Sequence, residues 1–455
     1  LSHRALVLIY FFTGECHGEE SLAGNFLAAA ATLAAQVTAP EPTPAAQGVK
    51  PPTPVVAGIP ANYDEAEVGS YTLADPLLLN NGQRVRDAKT WYVKRRPELL
   101  QMFEQLQYGH SPGRPAGERF EVVDKGTPAL GGKAIRKQVR IYFSREPGWP
   151  AIDVLIYLPA AAKKPVPMFL SISFGANSNA AKDPGILART VWDVKKMTPG
   201  KNERIPAPTT PSFAPINIDA LLDAGFGVAT FYYGDVDPDS ANGFAEGIRS
   251  HYSEDWGSVA AWAWGMSHVQ DYFETDSSVD AKRVAIHGVS RLGKAVMWAG
   301  ASDTRFAAVI ASCSGEGGAA LSHRDYGETI AHLMAPSRYP YWFTKNYAQF
   351  AGYPDKAPMD AHLLIALIAP RPLLLQTGST DYWSDPKGEF LAAVAAGPVY
   401  QLLGKDALDT TTWPAAQQPI LHDLAYSMHD GGHGIVAWDW PIYIEFLRMH
   451  LHPEM

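Results

Sequence analysis

The chain has 455 residues, 46% of them hydrophobic and 19% charged, and a net charge of −9 at pH 7. This is a globular balance without a basic run that could track a phosphate backbone, which excludes a nucleic-acid partner. Cys16 and Cys313 are the only cysteines, so a disulfide framework is excluded, and no stretch is long and apolar enough for a membrane-spanning helix.

Residues 1–61 differ from the rest. Ala5–Phe12 is apolar, follows Arg4 and is too short to span a bilayer, and Phe26–Val37 ends in small residues. Both fit an export signal, so a secreted or periplasmic location is expected. Ala39–Pro60 is rich in Pro and Ala and reads as a disordered linker. The catalytic domain is expected to run from 62 to 455, as a monomer.

Within that domain, apolar residues Trp91, Leu99, Leu100, Phe103 and Leu106 recur at helical spacing, which predicts a helix over Asp87–Tyr108. Lys133–Phe143 alternates like an edge strand, and Ile152–Leu158 follows it after a Gly-Trp-Pro turn. Pro167–Phe174 is a short apolar run of the kind a buried parallel strand has. Residues 182–218 hold many Pro and Thr and read as a surface insertion. Beyond it, helices are expected at Ile218–Ala224, Trp256–Phe273, Leu292–Ala301, Phe390–Leu403 and Pro441–Leu451, with mostly helical chain from Thr344 to Leu367. Strands are expected at Gly227–Tyr232, Arg283–His287, Phe306–Ala311 and Arg371–Gln376. Alternating strands and helices predict an α/β sandwich of the α/β-hydrolase kind: a mainly parallel sheet with helices on both faces. Reactive residues then belong in loops after the carboxyl ends of strands.

Three such loops carry them. Gly288-Val289-Ser290-Arg291-Leu292-Gly293-Lys294 joins a strand to a helix, and a serine at so sharp a turn is exposed at the helix N-terminus as a nucleophile. The second glycine of the common G-x-S-x-G pattern comes one residue late, with Leu292 in its place. Met428-His429-Asp430-Gly431-Gly432-His433-Gly434 supplies the general base; His433, between two glycines, is preferred to His429. Asp381 and Asp385 follow the strand at Arg371–Gln376, and Glu316 follows the strand at Phe306–Ala311. Any of the three carboxylates keeps the order serine, acid, histidine. Asp381 is favoured, since Asp385 precedes Pro386 and has the look of a turn residue. The backbone N–H of Arg291 is placed to stabilise an oxyanion, and the Phe174-Gly175-Ala176-Asn177 loop offers a second donor.

These residues resemble the G-x-S-R-x-G-K signature of the glucuronoyl esterases, most closely the bacterial branch. Tyr233-Gly234-Asp235, Ser314-Gly315-Glu316-Gly317-Gly318, Tyr326-Gly327-Glu328-Thr329, Asp381-Tyr382-Trp383-Ser384-Asp385-Pro386 and Gly431-Gly432-His433-Gly434 extend the likeness. The resemblance implies hydrolysis of esters between 4-O-methyl-glucuronic acid of glucuronoxylan and lignin alcohols, without metal or organic cofactor. It implies that Ser290 and His433 are nucleophile and base and that Arg291 supports the oxyanion. Lys294 and Glu328 would bind sugar hydroxyls, and Trp383 would line the sugar site. One departure stands out: where many members have the triad Glu, this chain has Cys313, which implies an acid from the later loop and strengthens Asp381 over Glu316. Val289 also stands where others have Cys or His. The competing readings are a xylan acetyl esterase, which needs neither Lys294 nor Glu328, and a carbohydrate-binding homologue without turnover.

Overall fold

The computed structural model describes residues 53–208 and 213–453. The expected export signal lies outside these residues. The linker was expected to stay disordered to residue 61, but its last part is built into the fold. Val55–Val56 (β1) and Ile59–Pro60 (β2) pair as a small hairpin, and Ala61 is buried. Asn62 accepts from the Gly327 amide at 2.8 Å through its carbonyl, and Glu65 accepts from Arg324 and Lys387. These residues belong to the catalytic unit because they close backbone groups of its loops.

Asp87 caps the first long helical run, its side chain accepting from the Thr90 amide at 2.8 Å. The run covers residues 88–108 and includes α1 (Ala88–Thr90) and α2 (Arg96–Phe103). The sheet follows: β3 (Arg119–Ala129), β4 (Ala134–Tyr142), β5 (Ala151–Pro159) and β6 (Val166–Ser173). Within the insertion, β7 (Thr190–Trp192) and β8 (Arg204–Pro206) form a separate hairpin. Then come α3 (Ile218–Asp223), β9 (Gly227–Tyr232), α4 (Ser258–Phe273), β10 (Val279–Val289), α5 (Arg291–Ser302) and β11 (Ala308–Ser312). The chain finishes with α6 (Ile330–Met334), α7 (Ala361–Ile368), β12 (Leu373–Gly378), α8 (Pro386–Leu402), β13 (Leu424–His429) and α9 (Asp439–Leu451).

Among the described residues the main sheet has nine strands in the order β13-β12-β11-β10-β6-β9-β5-β4-β3. From β13 to β9 all neighbours are parallel, and β5, β4 and β3 add an antiparallel flank. Successive residues of each central strand enter opposite cores. Leu155, Phe169, Ala285, Ile310 and Leu374 pack with α3 and α9. Their neighbours Ile156, Leu170, Ile286, Ala311 and Leu375 pack with α4, α5, α7 and α8. A sheet covered on both faces requires continuous apolar strands, which is why these runs lack polar alternation.

Two expectations fail locally. The strand at 133–143 is not the edge: β3 pairs along its outer side. The alternation is real, but β3 itself is rich in charge and Gly-Thr-Pro, so its sequence reads as loop. Chain 344–367 is α-helical only in part; Lys345–Phe350 and Pro354–Lys356 are short 3₁₀ segments of two turns and one turn before α7.

Candidate active site

Ser290 occupies the turn between β10 and α5 with φ 60° and ψ −129°, a conformation that costs a side-chain-bearing residue about 1–3 kcal/mol. Its amide donates to the Ser312 carbonyl at 2.8 Å, and its carbonyl accepts from the Lys294 amide at 3.1 Å. The glycines on either side make this turn possible. A Cβ on Gly288 would overlap the Leu292 carbonyl, and one on Gly293 would lie 2.9 Å from the Ser312 oxygen and 3.1 Å from Ser314 Cβ. The late glycine is thus the residue that passes the turn after β11, while Leu292 points into the core.

Asp381 and His433 leave the sheet side by side. β12 and β13 pair to their last residues, Gly378 opposite His429. The Ser379 amide donates to the His429 carbonyl at 2.9 Å and the Thr380 amide to the Gly431 carbonyl at 2.9 Å. Gly378 has no room for a Cβ beneath Gly432. Across these joined loops His433 Nδ1 lies 2.7 Å from Asp381 Oδ2 and 3.3 Å from Ser384 Oγ. Nδ1 is therefore held by the carboxylate, the arrangement a general base requires. Burial favours the neutral form of Asp381, but His433 and hydrogen bonds from Ser384 and Cys313 outweigh it and keep the carboxyl below its usual range. The Phe213 ring, from the end of the insertion, lies parallel to the imidazole with centroids 6.0 Å apart.

His429, Asp385 and Glu316 are bonded to other partners. His429 is buried, with Nδ1 3.0 Å from Asp439 and Nε2 2.9 Å from the Gly432 carbonyl, so it braces the loop that carries His433. Asp385 caps α8 by accepting from the Gly388 amide at 2.9 Å and binds Arg324 at 2.9 Å. Glu316 accepts from Ser322 and Tyr347, each at 2.7 Å, and burial pushes its pKa to about 7. The Cys313 thiol fills the space beside the pair: Sγ is within 4.8 Å of the Asp381 and His433 ligand atoms, and burial raises its pKa well above the usual value. It stays a neutral thiol there.

Two charged networks flank the serine. Arg291 begins α5, is 8% exposed and pairs with buried Asp239. Asp239 also accepts from Tyr341 and Trp342, each at 2.8 Å, and the guanidinium lies 4.7 Å from the Trp342 ring centre. Arg291 Nε is buried and has no hydrogen-bond partner among the described residues. On the other side, Lys294 Nζ donates to the Ser314 carbonyl at 2.7 Å and lies 3.5 Å from Glu328. Arg338 binds Glu328 at 3.1 Å and lies 5.4 Å from the Trp383 ring centre. The Glu328 amide in turn donates to the Trp383 carbonyl at 2.8 Å. Burial lowers the pKa of Lys294, an effect that Glu328, Glu316 and Glu389 oppose.

A serine elbow backed by an Asp–His pair can transfer acyl groups, and many folds-alike share it. Comparison with known proteins narrows the class. Carbohydrate esterase MZ0003, from an unknown prokaryotic organism, is 44% identical over 401 residues, spanning 86% of this chain and 92% of its own length. A solved glucuronoyl esterase from Solibacter usitatus superposes with a TM-score of 0.80 at 43% identity, covering 85% of this chain and all of that one. This chain belongs to the glucuronoyl esterase family. The family model "Glucuronyl esterase, fungi" matches residues 190–404, and a glucuronoyl esterase from Teredinibacter turnerae T7901 has a TM-score of 0.72 at 32% identity over 86% of this chain and 92% of that one. The α/β-hydrolase fold and the carboxylic ester hydrolase class follow from this membership.

Sequence reading of this glucuronoyl esterase family member missed Asp239, Arg338, Trp342, Phe213 and Glu389. Glu389 is buried on α8, accepts from the Gly315 amide at 2.6 Å and from Ser314 at 3.1 Å, and burial raises its pKa to about 8. None lies in a glycine-rich loop after a strand, the signal that located the others. Asp239, four residues past Tyr233-Gly234-Asp235, and Glu389, three past the end of Asp381-Tyr382-Trp383-Ser384-Asp385-Pro386, were the two within reach of a noted motif.

Proposed function

We propose that the chain is a serine esterase cleaving the ester between 4-O-methyl-glucuronic acid of glucuronoxylan and a lignin alcohol. Ser290 Oγ attacks the uronate carbonyl while His433 Nε2 takes its proton, and Asp381 steadies the imidazolium. The oxyanion is met by the Arg291 amide and guanidinium. His433 then passes the proton to the departing alcohol. Water, deprotonated by His433, attacks the acyl-enzyme and releases the free uronic acid. The hydroxyls of the sugar are held by Lys294 and Glu328, with its ring against Trp383.

The observation that carries this reading is the buried Lys294–Glu328 pair at 3.5 Å, one helical turn from Ser290. An acetyl group offers such a pair nothing to bind, whereas a uronic acid presents hydroxyls to both partners. We also propose that the protein acts as a monomer outside the cytoplasm, where a cell-wall polymer is met; among the described residues no helix is long and apolar enough to cross a membrane. The test is hydrolysis of benzyl glucuronate beside an aryl acetate. Turnover of the uronate ester at least tenfold faster supports the reading, and acetyl-ester turnover alone refutes it.

A further inference from the structure

A second cavity, of about 330 Å³, opens in the antiparallel flank of the sheet. Its inner wall is Asp153 on β5 and Arg140 on β4, and its outer wall is the insertion hairpin with Arg189, Trp192 and Arg204. Trp149 and Asp235 complete it, with Glu246 exposed at the rim. β5 runs antiparallel to β9, so its first residues lie at the end where β9 and the other parallel strands finish. The cavity therefore shares a rim with Ser290. In the sheet order β10-β6-β9-β5-β4, three to four strand spacings separate them, about 15–20 Å. The turn that follows β9 divides the two sites. Its Asp235 pairs with Arg204 on the cavity side, while Tyr233 donates to Asp239, the partner of Arg291, at 3.1 Å.

The chemistry of the lining is unusual for a protein of net charge −9. Asp153 serves two guanidiniums, Arg140 at 3.0 Å and Arg189 at 2.9 Å. The side chains of Arg140, Arg189 and Arg204 are 32%, 33% and 34% exposed, against 16% for Asp153 and 8% for Asp235. Inside the rim, where Glu246 is exposed, the guanidiniums are thus more accessible than the carboxylates they pair with. Both indole rings are half-buried, and each is fixed: Trp149 stacks on His251 with centroids 4.3 Å apart, and Trp192 Nε1 donates to the Gly234 carbonyl at 2.8 Å. Rigid aromatic faces beside guanidiniums match a pyranose ring that carries a carboxylate.

We infer that this cavity is a distal glycan subsite that binds a second, unesterified uronic acid on the same polysaccharide whose esterified uronate occupies the Ser290 pocket. The inference rests on the proposed uronate-ester substrate and extends it from a single sugar to an acidic chain. It assigns the insertion a part in substrate choice: glycans with closely spaced acidic side groups are held at two points, and those with isolated ones at one.

Arg204→Gln and Trp149→Ala, made separately, test it. With xylo-oligosaccharides carrying one esterified and one free 4-O-methylglucuronate, each should raise KM at least fivefold with kcat unchanged. With benzyl glucuronate, which is too short to reach the cavity, both constants should stay within twofold. Equal losses on the two substrates, or unchanged KM on the oligosaccharide in both variants, would overturn the inference. Calorimetric titration of the Ser290→Ala protein with free acidic and neutral xylo-oligosaccharides separates this from the esterase reading. Binding of the acidic oligosaccharide that Arg204→Gln weakens at least fivefold supports the subsite even if benzyl glucuronate is never cleaved. Equal affinity for the neutral oligosaccharide refutes it.

Discussion

Asp381 Oδ2 lies 2.7 Å from His433 Nδ1, although 52 residues separate them in the chain. Glu316 sits instead in its own network with Ser322 and Tyr347. Asp381→Asn should therefore lower kcat on benzyl glucuronate by about 10²–10⁴. Glu316→Gln keeps both of its hydrogen-bond partners and should stay within about tenfold of wild type. Steady-state rates of the two variants decide it, and near-full activity of Asp381→Asn would remove Asp381 from the mechanism.

Gly288 packs its α-carbon against the Leu292 carbonyl, where no Cβ fits. The obstacle is backbone, which cannot rotate aside as a side chain can. Gly288→Ala is expected to destabilise the fold by about 3 kcal/mol and to displace Ser290. Urea unfolding and labelling of Ser290 by an organophosphate report the two effects. An unchanged unfolding midpoint would contradict this account of the turn.

Lys294 is buried beside Glu328 and donates to the Ser314 carbonyl. If it also binds a sugar hydroxyl, that charge-assisted bond is worth about 1.5–3 kcal/mol, or about 10–150-fold in kcat/KM. Lys294→Ala should show that loss on glucuronate esters and a much smaller one on aryl acetates. Circular dichroism controls for folding, since the variant takes one cation from a buried cluster of carboxylates and leaves Glu328 with Arg338 alone. Parallel losses on both substrates would count against a role in sugar recognition.

Glu389 and Glu316 have pKa values raised by burial to about 8 and about 7, against an ordinary 4.5. Between the ordinary value and the raised one, the folded state binds more protons than the unfolded state, so stability falls as pH rises. Glu389→Gln removes one such group. Its Tm should decline less than that of wild type between about pH 5 and pH 8, and calorimetric scans across that range would show parallel declines if Glu389 is ionised in the fold.

Local pattern made much of this protein legible. The strand Gly227–Tyr232 was read to the residue, because a fully buried parallel strand is a short apolar run bounded by turn residues. Strand β3 was not legible, since its alternation is confined to its first half and gives way to exposed Lys125-Gly126-Thr127-Pro128. Among the candidate site residues, Ser290 and His433 announced themselves through their glycines, which the backbone geometry requires nearby. Asp239 and Glu389 carried no such mark: a buried carboxylate and a surface one look alike until the fold surrounds them.

The sequence by itself determined the α/β order, the strand-to-helix turn at Ser290 and a short set of carboxylates that could stand behind His433. Only the tertiary structure brought one of that set, Asp381, to 2.7 Å from His433. It also placed Cys313 in the gap beside the pair and brought Phe213 from the insertion onto the imidazole. Periodicity and turn chemistry act over a few residues and are written locally. The choice among Asp381, Asp385 and Glu316 depends on how loops from adjacent strands are tied together, and those bonds join residues that the sequence keeps far apart.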